Sequence, residues 1–512
     1  MLSELNKPMA PIAGYLNLLP IELLEKVLSY CGAQQLGALE TTCTYFIQSQ
    51  LTNRAALARL QLIARAKGLQ PDTEKGETWT RLLHFVASQS AAAAQGTAVA
   101  LGSFHTTALL IPEGETEHSL HAFGRGFHGQ LGNGKFVDCP EPTSVAEARR
   151  AVNQEKGHPA VVTCGSSHSG LISRRGELFT WGLASSGELG HGGWTPIEVQ
   201  IPRQVVCLER TRIVSVAAGA NHTLAISERG ELWSCGRGRH GQLGLGHFHD
   251  EGVLLRIDRL IGQRIVSAAA GKAHSLALAS DGSLWTWGDG RHGQLGHEQL
   301  AQFMALHNNP PVAVPVPQKV KSLLPDKLKP FDRVTAVAAG AHHSMALTVG
   351  GKLLAFGANK YGALGLGDKD RRLVPTEVPL ADSSGSRSKV RAVQVQCGQQ
   401  HSLALVQKDG CLQVCATGYN VWGQLGTGDR QDSLRFKVVR SLLGHPIAAL
   451  VSGDSHAAAI TRSGELYMWG RGDCGQLGVQ DSRSYWQPKL LQGFRVVHPD
   501  RTLRRNGRTC SP

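Results

Sequence analysis

A glycine-rich string built around Gly-x-Leu-Gly recurs seven times in this 512-residue chain. It reads GRGFHGQLGNG at 124–134, GLASSGELGHG at 182–192, GRGRHGQLGLG at 236–246 and GDGRHGQLG at 288–296. GANKYGALGLG at 357–367, GYNVWGQLGTG at 418–428 and GRGDCGQLG at 470–478 complete the set. A Gly-x-x-His signature precedes each copy, with histidines at His105, His168, His222, His274, His343, His401 and His456. Successive histidines stand 63, 54, 52, 69, 58 and 55 residues apart. Units of that size and spacing indicate an array that closes or stacks.

Residues 211–246 show the grammar of one unit. Thr211–Gly219, Asn221–Ile226 and Glu231–Cys235 are short β-prone runs, parted by glycine turns at Gly219 and Gly230. Such spacing argues for all-β structure rather than helix. Three or four strands in each of seven units predict a propeller, in which radial repetition leaves few exposed edges.

Composition narrows the function classes. The 60 glycines recur at fixed places, so they mark turns and not a flexible low-complexity chain. The 11 cysteines scatter without a CxxC pair or a zinc-like His/Cys spacing. They read as free thiols of a reducing compartment, so a cytoplasmic or nuclear location is expected. No charged-apolar leader and no apolar run of ~18 residues is visible, so neither export nor a membrane partner is expected. The formal charge is +13, of which residues 1–95 supply one unit. A basic body favours acidic partners such as chromatin. No lysine-rich run or stacked aromatic series points to specific nucleic-acid binding. GRGFHG and its kin have GxGxxG-like spacing but do not open a helix after a strand, so no dinucleotide cofactor is expected.

Residues 1–95 have a different texture. Pro20 suits a first helical turn, Leu23, Leu24, Val27 and Leu28 form an apolar stripe, and Gly32 is a natural stop. A second helical pattern carries Leu36, Leu39, Cys43 and Phe46. Further amphipathic helices are expected over 53–67 and 78–86, and the alanine run 91–94 marks a boundary. The series Leu19-Pro20-x-Glu22-Leu23-Leu24, then Val27-Leu28, Leu36-x-x-Leu39 and Cys43-x-x-Phe46, resembles an F-box. That family is a small helical unit that docks on the Skp-family adaptor of a cullin ubiquitin ligase. The resemblance implies an adaptor interface made of Leu19, Pro20, Leu23, Leu24, Leu28, Leu36 and Leu39. Thr44-Tyr45 departs from the pattern, which often carries a basic residue with a tryptophan further on. The alternative is a helical cap over one end of the propeller.

The repeats themselves resemble regulator-of-chromosome-condensation repeats, whose family forms seven-bladed propellers. Together the two resemblances suggest a plant or algal type of protein. The expected organisation is an F-box over 1–60, a helical linker over 61–95, the propeller over 96–497 and a basic tail over 498–512. The fold class expected is mainly β, with a small α-helical domain ahead of it. Tyr485–Val497 is expected to open a blade, and the strand near Thr97 to complete it from the other end of the chain.

Seven signature histidines are structural by this reading, since a catalytic group has no reason to occur seven times. Function is expected where the copies differ. After the signature glycine stand Ser103, Ser166, Ala220, Lys272, Ala341, Gln399 and Asp454. Family members that serve as plant ultraviolet-B photoreceptors carry tryptophans there; this chain has none, which counts against ultraviolet sensing. At the loop tips, Arg239, His240, Arg291, His292, Tyr361 and Trp422 would form a basic and aromatic sector if adjacent blades align. Ordinary solvated loops are the alternative. Two apparent insertions, Glu141–Pro159 and His297–Pro330, stretch the period, and the second is the better candidate for partner contact. No metal or cofactor is expected. The expected role is a non-catalytic substrate receptor: the F-box joins the Skp adaptor and cullin core, and the propeller holds a target protein. The alternative is a chromatin-binding propeller or an exchange factor for a small GTPase.

Overall fold

The computed structural model describes residues 98–146, 158–192, 198–306, 312–325, 328–329, 332–380 and 390–497. The chain divides into two units, Met1–Ala91 and Ala92–Pro512, and the described residues all belong to the second. The adaptor-interface residues expected at Leu19, Pro20, Leu23, Leu24, Leu28, Leu36 and Leu39 therefore lie outside the described residues.

Within that unit the strands form seven antiparallel sheets. Each is a meander. In the third blade Ile213–Ala218, His222–Ser227, Leu232–Gly236 and Glu251–Arg256 pair in chain order from the channel outward. The second strand of every blade begins at a signature histidine. These strands are buried on both faces, which is why HTLAIS and HSLALA read as apolar runs without polar alternation. Trp181, Trp287 and Trp469 are fully buried, with Phe123 and Phe356 at the same place in the first and fifth blades.

Backbone contact explains the signature glycine. A Cβ on Gly102 would come within 2.4 Å of Gly165 O and 2.5 Å of its own His105 ring. The same near contact repeats from Gly165 to Gly219, Gly271, Gly340, Gly398 and Gly453, whose own neighbour is Gly102 O. Seven glycines thus form a closed backbone ring around the central channel. None of them has positive φ, so close approach and not handedness requires glycine here. Handedness matters in the loops: Gly244 has φ +75°, and a Cβ there would also meet the Trp287 indole of the next blade at 2.8 Å.

Closure differs from expectation in detail. Tyr485–Leu490 is the outer strand of the seventh blade, beside Leu466–Gly470. The chain then crosses to the first blade, where Phe494–Val496 pairs with the far half of His105–Pro112. Val99–Leu101 pairs with the near half. The two ends of the domain therefore share the inner edge of the first blade, not the last. His105–Pro112 has eight residues and Val99–Leu101 only three, so half of its inner edge needs a second strand.

The insertions are also smaller than expected. Glu141–Ser144 belongs to the outer strand Cys139–Ser144, and Pro159 starts the second blade. Within 297–330, Ala313–Lys319 is the outer strand of the fourth blade, so most of the segment is framework. Its prolines, Pro315 and Pro317, are tolerated because the strand is an edge. What is added is the helix Glu298–Leu306, which buries Met304 beside Leu295, Val312 and Val314.

Candidate partner-binding face

The signature histidines join blade to blade. His105 Nε2 lies 2.8 Å from Ser169 Oγ, His168 3.0 Å from Thr223 Oγ1, and His222 2.9 Å from Ser275 Oγ. His274 meets Ser344 at 2.9 Å, His343 meets Ser402 at 2.9 Å, and His456 closes the circle on Thr106 at 3.2 Å. His401 meets Ser452 at 3.1 Å. Ser169 Oγ donates its one hydrogen to Gln130 O, and Ser275, Ser344 and Ser402 donate likewise to Gln242 O, Gln294 O and Ala363 O. Each of these hydroxyls must therefore accept from its histidine, which fixes the Nε2–H tautomer. Burial lowers every one of the seven below its ordinary value near 6.5, to about 3 for His105, His222, His274, His401 and His456 and about 4 for His168 and His343. They are neutral struts with no acid–base task.

One face is built from two loops that travel together. In all seven blades the residue after the third strand's glycine donates its N–H to the carbonyl just before the signature histidine. The pairs run from Arg125 on Phe104 to Arg471 on Ser455, with Arg237–Asn221, Asp289–Ala273, Ala358–His342 and Tyr419–Gln400 among them. The side chains at these two positions therefore stand side by side, outside the channel. At the channel itself a cavity of about 150 Å³ is lined by all seven signature loops, with Lys272 the cation and Asp454 the carboxylate. Asp454 accepts from the Ser103 hydroxyl, and burial raises its carboxyl despite Ser103 and Lys272.

The six loop-tip residues picked out in the sequence divide between environments. Arg239 is 74% exposed and pairs with Asp250 at 3.9 Å within its own loop. The His240 N–H donates to Gln242 Oε1. Arg291 grips Asp289 through Nε and Nη2 at 2.9 and 3.0 Å; burial opposes this, but the paired hydrogen bonds hold the Asp289 carboxyl below its usual range. His292 and Tyr361 line one cavity of about 640 Å³ between the fourth and sixth blades. There His292 packs edge-on against His342 with ring centres 4.9 Å apart, and Tyr361 lies 4.8 Å from Tyr419. Trp422 belongs elsewhere, under the Arg471 guanidinium at 4.4 Å. Arg471 also covers Phe104 at 4.7 Å, and Arg125 covers the same ring at 4.3 Å. This stack bridges the sixth, seventh and first blades.

Sequence reasoning overlooked Phe104, Arg125, His342, Tyr419 and Arg471. Their signal was present: they occupy the position before the signature histidine and the position after the third-strand glycine, and those two positions touch. Among the described residues no cluster of His, Cys, Asp or Glu is arranged to hold a metal ion. Nor is any described helix long and apolar enough to cross a membrane. The eight described cysteines are free thiols.

Comparison with known proteins agrees with this architecture. The family model described as the RCC1-like domain matches residues 119–504. The chain is similar to the ultraviolet-B receptor UVR8 of Arabidopsis thaliana, 33% identical over 400 residues that cover 78% of this chain and 82% of UVR8. It is 29% identical over 383 residues to the Homo sapiens E3 ubiquitin-protein ligase HERC2, covering 74% of this chain but 7% of that protein. The crystal structure of Prp20p from Saccharomyces cerevisiae shares the fold, with a TM-score of 0.60 at 21% identity over 79% of this chain and 89% of Prp20p. A ring of seven blades, a histidine lock between each pair and a matching family model give one conclusion: the chain belongs to the RCC1-like domain family.

Proposed function

We propose that the chain is a non-catalytic substrate receptor of a Skp–cullin ubiquitin ligase. The observation that carries this reading is the combination in one chain of the Leu19-Pro20-x-Glu22-Leu23-Leu24 series with an RCC1-like propeller. The first would dock on the adaptor, and the second would hold a target protein. A receptor of this kind makes no bond. It raises the effective concentration of a target lysine near a ubiquitin-charged enzyme. Three features support the division of labour. The propeller's repeated histidines are buried, neutral and used as struts. Its variable loops gather basic and aromatic side chains on one face. A related propeller segment occurs within the ligase HERC2. Ultraviolet reception is not the reading we favour despite the similarity to UVR8, because Ser103, Ser166, Ala220, Lys272, Ala341, Gln399 and Asp454 include no tryptophan.

The test is a pull-down of the purified full chain by a Skp-family adaptor, alongside Leu23→Asp/Leu24→Asp. Binding by the parent and loss in the variant is the expected result. A folded parent that does not bind the adaptor would sink the ligase reading. The formal charge of +13 then favours a second one, a chromatin-binding propeller, read out as salt-sensitive retention on nucleosomes.

A further inference from the structure

The cavity between the fourth and sixth blades is built unlike the rest of the face. At about 640 Å³ it has the size of a recognition pocket and not of a packing defect. Its floor is uncharged. Among the lining residues, buried Ala363 and half-buried Ala358, Tyr361 and His342 lie deeper than the exposed charged ones. Burial and the neighbouring His292, Lys272 and Arg291 hold His342 at about 4, so its ring is neutral at physiological pH. Its Nδ1 is buried without a hydrogen-bond partner among the described residues.

The rim is cationic. Lys360, Lys369 and Arg371 line it, and Asp370 is the single carboxylate among the lining residues. Both lysines are exposed. Arg371 reaches across to the fourth blade, donating to Arg291 O at 3.4 Å. The wall that carries these groups is stiff. Asn359 donates to Asp368 O at 2.9 Å and accepts from the Leu364 N–H at 3.0 Å, which fixes the loop between the third and outer strands.

We propose that this cavity docks an acidic segment of a partner protein, with an apolar side chain on the floor and flanking carboxylates at the rim lysines. The inference rests on the propeller being the partner-holding part of the receptor described above. Charge complementarity and the uncharged floor together favour a peptide over a bare anion, which needs no floor. Three cations around a single recess also make no continuous basic track, as a nucleic-acid backbone would need.

The test uses the full chain and a fluorescein-labelled peptide with one leucine between two runs of glutamate, read by anisotropy. The glutamine counterpart, inorganic phosphate and oligothymidylate are the comparison probes. The glutamate peptide is expected to bind, more weakly as salt is raised. Reversing charge in Lys360→Glu/Lys369→Glu should weaken it at least ~10-fold, while Lys360→Arg/Lys369→Arg keeps it. Equal binding of the glutamine peptide, indifference to charge reversal, or full displacement by phosphate would overturn the proposal. So would tighter binding of oligothymidylate through the same lysines. Adaptor pull-down on Lys360→Glu/Lys369→Glu separates the two readings. A variant that keeps the adaptor but loses the peptide supports this one. A parent that fails with the adaptor yet binds the peptide removes only the ligase assignment.

Discussion

His401 Nε2 lies 3.1 Å from Ser452 Oγ, on the innermost strand of the seventh blade. The six other signature histidines meet a hydroxyl placed one residue past the next blade's own histidine. In the seventh blade that place is Ala457, which has no hydroxyl to offer. Ser452 takes over from the neighbouring strand and donates its own hydrogen to Gly453 O at 3.2 Å. Ser452→Ala would leave the N–H of a fully buried histidine unpaired, at a cost of ~1–3 kcal/mol. Adding Ala457→Ser should return most of that loss, because Gln424 O, already bonded to Trp469 Nε1, can accept a second hydrogen as Gln130 O does from Trp181 Nε1 and Ser169 Oγ. Urea denaturation of the single and double variants checks this; equal stability of Ser452→Ala and parent would refute the strut.

The signature glycines predict a sharp contrast. In Gly271→Ala the new methyl would stand 2.4 Å from His274 Cε1 and 2.5 Å from Gly340 O, so ring and neighbouring backbone must both move. Gly444 has φ +84° with nothing within 4 Å of a Cβ, so Gly444→Ala meets only backbone strain. The first should cost ~3 kcal/mol or more and the second ~1–2 kcal/mol. Ranking the two by thermal melts decides whether close approach or handedness dominates.

Much of this was legible in the sequence. The histidine count gives the blade count because each blade needs one strut to the next. The buried tryptophans follow from their place on the third strand. Closure was half legible. That the two ends of the propeller meet can be read from the patterns near Thr97 and over Tyr485–Val497, but not which blade they share, since Val99–Leu101 is too short to declare its partner. The segment 297–330 misled because its prolines suggest a loop, whereas an outer strand donates few ladder bonds and accepts proline. The cavity and the Arg471 stack were the least legible. They depend on side chains 50 or more residues apart, such as Phe104 and Arg471 or His292 and His342, and only the closed ring makes those residues neighbours.

The buried histidines set the acid response. Their folded values of about 3 to 4 lie below the ordinary value near 6.5, so the unfolded chain binds more protons. Their stabilisation is complete above pH ~6.5 and is lost as pH falls toward the folded values, by ~1.4 kcal/mol per pH unit for each histidine. Glu188 and Asp454, raised by burial, run the other way and are outnumbered by the seven histidines. The melting temperature should be nearly flat from pH 8 to about 7 and should fall steeply between about 6 and 5. A flat profile through pH 5 would mean that the rings can be protonated in place.

Closure of the ring makes a last prediction, because besides the Arg471–Phe104 and Ser103–Asp454 contacts it uses three latches of different kinds. Gly453 touches Gly102 O at the channel, His456 meets Thr106, and Phe494–Val496 adds to the first blade. Only the third lies in a segment that can be removed without touching a repeat. Val496 is 4% exposed and pairs with the fully buried Leu110, while Phe494 packs its ring edge-on to His121 at 5.3 Å. A chain ending at Gly493 therefore loses one buried valine, one aromatic contact and part of the inner strand, worth ~3 kcal/mol or more. Because the glycine and histidine latches remain, it should still fold, with a lower melting temperature than a chain ending at Val497. Hydrogen exchange should show the loss locally, at Leu110 and Ile111, before it appears in other blades. If the shorter chain fails to fold at all, the strand is a condition of closure; if its stability matches the longer one, the remaining contacts between the seventh and first blades suffice.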